Sequence, residues 1–165
     1  MAQKRIIMKQ KPVVFAGSFD PVTNGHLDII KRARAVFGAV WVVVAENKNK
    51  HVLFTMQERV CLLKEVLKKE KNISVDCTKG LLVNYLKKKG LSVLVRGVRG
   101  AEDLPAEMTN ACWNKHFYPK AETIFIPCAP DKTFISSSAV KEAFLCGADV
   151  SGLVPPAVYE ALKRK

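Results

Sequence analysis

No apolar run in the 165 residues approaches the roughly 20 needed to span a bilayer, so a membrane-crossing helix is not expected. Aromatic residues make up only 8% of the chain, and none of its lysine runs is interleaved with them. That removes the stacking platform on which a single-strand nucleic-acid binder depends. The five cysteines, Cys61, Cys77, Cys112, Cys128 and Cys146, are odd in number, and no two have the spacing of a metal knuckle or a redox dithiol. They are expected to serve as small apolar side chains, buried or half-buried. There is no internal repeat, low-complexity tract or Gly/Ser linker, which excludes a solenoid or a string of modules. A single domain over 1–165 is the expectation, with 1–11 as a flexible extension. Within that extension, basic residues surround Ile6-Ile7-Met8, an apolar patch too short for a secretory signal. A cytoplasmic location, with no membrane and no nucleic-acid partner, is therefore anticipated.

Acidic residues are also scarce: 15 Asp+Glu stand against 27 Lys+Arg, for a net charge of +12. Such an excess implies a polyanionic partner without saying which. The runs Lys68-Lys69, Lys87-Lys88-Lys89 and Lys163-Arg164-Lys165 fall at the ends of helix-like segments. There they complement the helix dipole and read as solvated surface.

Short apolar runs alternate with helical periodicity along the chain. Strands are predicted over 12–16, 39–45, 73–77, 91–95 and 123–127, the second of them valine-rich, as a strand covered on both faces should be. Helices are predicted over 25–37, 55–69, 81–89, 102–118, 137–145 and 156–163. Thr55-Met56-Gln57-Glu58 carries a capping-box pattern, and Gly90 closes the third helix. This order predicts an α/β fold: a Rossmann-like, open, mainly five-stranded parallel sheet with helices on both faces. Ligands of such sheets bind beyond the carboxyl ends of the strands, where strand order reverses.

Four polar stretches follow predicted strands one, two, four and five. The first, Gly17-Ser18-Phe19-Asp20-Pro21-Val22-Thr23-Asn24-Gly25-His26, turns off its strand at a glycine and opens a helix with Thr23 or Asn24 as cap. His26 then sits in the first turn, where free amides favour an anion and its ring can donate to phosphate oxygens. The second, Asn47-Lys48-Asn49-Lys50-His51, is a basic loop. The third, Arg96-Gly97-Val98-Arg99-Gly100, offers two guanidinium forks suited to phosphate. The fourth, Ser136-Ser137-Ser138, lays small hydroxyls and amides at the start of a helix, as an anion nest does.

The first stretch resembles the T/HxGH signature of the nucleotidyltransferase superfamily. From about Val13 to the end, the chain is similar to the bacterial-type pantetheine-phosphate adenylyltransferases, which normally carry Thr where Ser18 stands. The resemblance implies transfer of AMP from ATP to 4′-phosphopantetheine, giving dephospho-CoA and pyrophosphate. By the same resemblance, His26 stabilises the transferring α-phosphate, with Lys50 and Arg99 beside it. Lys50 takes the place of a substrate-binding lysine, with Lys48 as the alternative register. Ser18, Phe19, Gly97, Val98, Arg99, Glu107 and the stretch Lys132, Thr133, Phe134, Ile135, Ser136, Ser137 and Ser138 are implied to hold ATP. Ser18, Lys50, Leu82 and Arg96 are implied to hold the acceptor. Mg²⁺ is expected on the ATP phosphates with no direct protein ligand. A homohexamer and feedback inhibition by coenzyme A are likewise implied. The family's serine run is followed by Val-Lys-Glu, matched by Val140-Lys141-Glu142. Its Asp-Phe-x-Tyr-Glu is replaced by Asp103-Leu104-Pro105-Ala106-Glu107, where proline suits a first helical turn and Asp103 offers itself as cap.

These residue types suit direct transfer. The attacking phosphate is already ionised, so cations, amides and hydroxyls that hold two polyanions in line suffice. No nucleophile with a paired base is evident. Two other readings share part of this pattern. One is a superfamily member using nicotinamide mononucleotide or a CTP-linked acceptor. The other, motivated by the charge, is a basic nucleic-acid-binding module.

Overall fold

The computed structural model describes residues 11–46 and 51–165. Most of the predicted extension, and the loop bearing Lys48 and Lys50, therefore lie outside the described residues. Five strands, β1 (Val13–Gly17), β2 (Val40–Ala45), β3 (Ile73–Thr78), β4 (Val93–Val98) and β5 (Glu122–Pro127), form one parallel sheet in the order β3-β2-β1-β4-β5. Every pairing is parallel, so each return is made by a crossover, as the alternating sequence pattern requires. The order reverses between β1 and β4, and this is the switch point of the sheet.

Alternation along β1 divides the core in two. Val13 and Phe15 face one layer, with α1 (Asn24–Phe37), α2 (Met56–Leu67) and α6 (Pro156–Leu162) contributing Ile29, Ile30, Leu63, Val158 and Leu162. Val14 and Ala16 face the other, against Tyr85 and Leu86 of α3 (Leu82–Lys89). The helix α4 (Leu104–Phe117) lies over β4 and β5 on the same side as α3. A short helix, α5 (Ser137–Leu145), follows a single 3₁₀ turn at Pro130–Lys132.

Two expectations change. The fourth strand runs three residues further than predicted, through Arg96 to Val98. Its pairing with β1 stops at Val95, but β5 continues to pair with it at Arg96, Gly97 and Val98. Four of the five cysteines, Cys61, Cys77, Cys112 and Cys146, are exposed rather than buried, and only Cys128 is half-buried. Their positions on solvent faces override the usual preference of the thiol. The lysine runs lie on the exposed surface, as expected, and some of their members find partners there: Lys89 pairs with Asp76 at 3.1 Å and lies over the Trp41 ring. Lys165 bonds Glu58 at 2.7 Å above Phe54.

Candidate active site

The loop from β1 to α1 is built around buried groups. Phe19 is 1% exposed and holds φ at 50°, a left-handed conformation that costs a bulky residue on the order of 1–2 kcal/mol. Packing offsets that cost, because its ring meets Phe15 and His26 edge-on at 5.6 and 5.0 Å. A Cβ on Gly17 would stand only 3.2 Å from this ring, so the glycine is required by close approach.

Thr23 caps α1, and His26 takes the third position of a capping box that usually belongs to Glu or Gln. The His26 amide donates to Thr23 Oγ1 at 3.4 Å, and the Thr23 amide donates to His26 Nδ1 at 3.0 Å. Accepting that bond fixes the tautomer: Nδ1 is unprotonated and Nε2 carries the hydrogen. Burial, then the charges of Arg96 and Arg99, push the His26 pKa down to about 4. The ring is therefore a neutral donor at physiological pH.

Both arginines are held by carboxylates. Arg96 gives Nε and Nη2 to Glu107 at 2.7 and 2.6 Å, and its Nη1 donates to the Ala16 carbonyl across the switch point. Arg99 gives Nε and Nη2 to Asp103 at 2.9 and 2.7 Å, and Asp103 also accepts the Arg99 amide. The Arg99 fork holds the Asp103 carboxyl below its ordinary range, while Asp103 raises Arg99. One expectation, the Asp103 cap, is corrected here. Asp103 makes no side-chain cap bond to α4, because Arg99 claims its carboxylate. Glu107 lines the cleft, but its two oxygens are taken by Arg96.

The serine run is divided in role. Ser136 Oγ caps α5 by accepting from the Ala139 amide at 3.0 Å. Ser137 Oγ donates to the Pro21 carbonyl at 2.8 Å. The hydroxyl of Ser138 makes no hydrogen bond among the described residues, and the first amides of α5 have no intrahelical partner.

These pieces meet in one cleft of about 390 Å³ at the switch point, lined by Ser18, Gly25, His26, Arg96, Gly97, Arg99, Asp103, Glu107, Ile135 and Ser136 to Ser138. Its charged lining, two guanidiniums and two carboxylates around a neutral imidazole, is balanced. Among the described residues, the excess of positive charge lies outside this lining. A second, more apolar cavity of about 540 Å³ adjoins it through Arg96 and Glu107, and contains Leu82, Asn110, Trp113 and Phe117.

Several candidates do not line the cleft. Phe19 is buried beneath the His26 ring. Val98, Lys132, Thr133 and Phe134 lie outside the lining; Lys132 is paired to Asp131 and Phe134 is 65% exposed. Sequence reading missed Asp20 and Arg59, both nearly fully buried. Arg59 left a signal, because it falls on the apolar face of α2 with Val60, Leu63 and Leu67. No group of three or more His, Cys, Asp or Glu among the described residues is placed to hold a metal. The two acids of the cleft are engaged by arginine.

A family model described as cytidylyltransferase-like matches residues 14–143. Among curated proteins, the phosphopantetheine adenylyltransferase of Alkaliphilus metalliredigens is 41% identical over 92% of this chain and 97% of its own length. The proteins of the same name from Carboxydothermus hydrogenoformans and Thermotoga neapolitana are 47% and 45% identical, each over 92% of this chain and 94% of their own.

Proposed function

This chain belongs to the phosphopantetheine adenylyltransferase family, within the cytidylyltransferase-like proteins, and on that premise we propose how its cleft performs the reaction. The enzyme transfers AMP from ATP to the phosphate of 4′-phosphopantetheine, giving dephospho-CoA and pyrophosphate. A phosphate oxygen of the acceptor attacks the α-phosphorus, the bond to the β-phosphate oxygen breaks, and pyrophosphate leaves in line.

The observation that carries this reading is the convergence of a neutral imidazole donor, two oriented guanidiniums and the amides of α5 on one cleft. His26 Nε2–H stabilises the charge gathering on the α-phosphate oxygens. Being neutral, it gives up no proton that it must later recover. The β- and γ-phosphates lie against Ser138 and the α5 amides. Ser18, Gly97 and Arg99 complete that wall. Arg96, shared between the two cavities, grips the acceptor phosphate, and the apolar cavity beside Leu82 takes the pantetheine arm. Each arginine keeps N–H groups beyond those given to its carboxylate, so the acids orient the forks without exhausting them. Mg²⁺, carried on the ATP phosphates, supplies charge neutralisation of the leaving pyrophosphate. With both cleft acids paired to arginine, ligands for such an ion would come from the phosphates. Lys50, or Lys48 in the alternative register, adds a further cation from the second loop.

We read the chain as one domain working in the cytoplasm. No described helix is long and apolar enough to cross a membrane. Assembly as a homohexamer is supported by α4, which buries none of its residues and exposes Leu104 and Met108 outside both cavities. Coenzyme A, which shares the pantetheine arm, fits the same two cavities as an inhibitor. The decisive assay is pyrophosphate release from ATP with and without 4′-phosphopantetheine. Nicotinamide mononucleotide, and CTP in place of ATP, serve as comparisons. Release that needs 4′-phosphopantetheine and ATP is the expected result; equal release with any acceptor would overturn it.

A further inference from the structure

Three segments meet at the carboxylate of Asp20, which is 5% exposed. Its two oxygens accept the Leu53 and Phe54 amides, each at 2.8 Å. Lys141 Nζ lies 3.4 Å from Asp20 Oδ2 and donates to the His51 carbonyl at 2.8 Å. Lys141 stands on α5 four residues after Ser137, hence on the same side of that helix. Ser137 in turn donates to the carbonyl of Pro21, the neighbour of Asp20. The helix is therefore pinned at two points to consecutive residues of the β1–α1 loop. Among the described residues, the other charged group lining this region is Arg59, which holds the Ser18 carbonyl at 2.8 Å and the Thr55 carbonyl at 3.3 Å.

Packing holds the second half of α5 better than its first turn, since Val140, Ala143 and Phe144 are the residues that meet the core. Of its nine residues only Val140 is fully buried, and none of the three core contacts lies in the first turn, where the phosphate-facing amides are. Yet the amides at its start must meet phosphate oxygens within a few tenths of an ångström to be useful. A polar clasp on the buried Asp20 supplies the missing constraint. It differs from the surface pairs of this chain because its carboxylate is withdrawn from water, where the attraction is less screened.

We propose that Asp20 and Lys141 form a clasp that joins the β1–α1 loop and α5 into one phosphate grip, making Lys141 a positioning residue for the bound triphosphate. This rests on the adenylyl-transfer reading above and deepens it. Lys141 acts through the pose of Ser137, Ser138 and their amides, not by touching the reacting atoms.

Asp20→Ala would leave two buried amides without acceptors and could unfold the loop, so the informative variants are Lys141→Met and Lys141→Arg in the full chain. Michaelis constants for ATP and 4′-phosphopantetheine, the affinity for Mg-ATP by calorimetry and the melting temperature are measured for each. Lys141→Met is expected to raise the ATP constant and weaken Mg-ATP by about tenfold, with the acceptor constant within about threefold. Lys141→Arg is expected to restore ATP binding to within about threefold of the parent. An ATP constant within twofold of the parent in Lys141→Met would overturn the clasp. So would a parallel rise in both constants with a lowered melting temperature, which marks general loosening. A parent chain that releases no pyrophosphate would instead sink the adenylyl-transfer reading, and the clasp with it.

Discussion

Replacing His26 by asparagine separates the two jobs of this side chain. Asn Oδ1 falls close to where His26 Nδ1 accepts the Thr23 amide at 3.0 Å, so the cap of α1 is retained. What disappears is the Nε2 donor facing the cleft. A cap bond is worth about 1 kcal/mol, which in a chain of this size shifts melting by roughly 2–4 °C. His26→Asn should therefore melt within a few degrees of the parent, whereas His26→Ala should lose about that 1 kcal/mol. Loss of one preorganised donor to developing charge costs on the order of 10²–10³ in turnover. Both variants should show that fall in kcat, because both lack the donor. ATP binding should change far less, since the α-phosphate carries its extra charge mainly in the transition state. The assay is steady-state pyrophosphate release at saturating substrates, paired with thermal melts. A His26→Asn variant with kcat within tenfold of the parent would refute the assignment of Nε2 to the α-phosphate. If His26→Asn instead melts like His26→Ala, the capping argument fails and the donor argument stands alone.

The same ring predicts a pH dependence of stability. Its folded pKa, about 4, lies below the ordinary histidine value, so between about 6.5 and 4 the unfolded chain binds more protons. The contribution is complete above pH 6.5 and is lost as pH falls toward 4, to a total of at most about 3 kcal/mol. Urea midpoints at pH 7 and pH 5 should drop more for the parent than for His26→Asn; equal drops would contradict it. Glu107→Gln removes the charge that orients Arg96, and kcat/KM for 4′-phosphopantetheine should fall about tenfold with a smaller change for ATP. A larger loss for ATP than for 4′-phosphopantetheine, measured in the same pyrophosphate assay, would assign Glu107 to the nucleotide instead.

The fold was legible because each strand announced itself locally. The valine run at Val40–Ala45 can only be a doubly covered strand, and Thr55 with Glu58 marks the start of α2 in four letters. Strand ends were less clear. Arg96 and Gly97 read as a turn from composition, and only the partner strand β5, distant in sequence, keeps them extended. Register is a property of pairs, and a single strand's letters do not contain it. The cysteines misled for a related reason: the preference of a thiol for burial is an average, and helix phase decides which side Cys61 or Cys112 faces.

The site was legible in its parts but not in its pairings. Ser18, His26, Arg96, Arg99 and Ser138 were each visible as residues that could meet phosphate, because glycine turns and helix starts mark where backbone donors gather. Nothing local shows that Arg96 closes on Glu107 eleven residues away, or that Asp103 leaves its cap for Arg99. Those pairings leave the described lining balanced in charge and its forks pre-oriented. A strongly basic cleft would attract every polyanion at long range, with a force that salt screens. A balanced cleft discriminates at contact, through forks and amides already aimed. Selectivity among phosphorylated ligands then depends on geometry, which Glu107 and Asp103 help set by holding the two arginine forks.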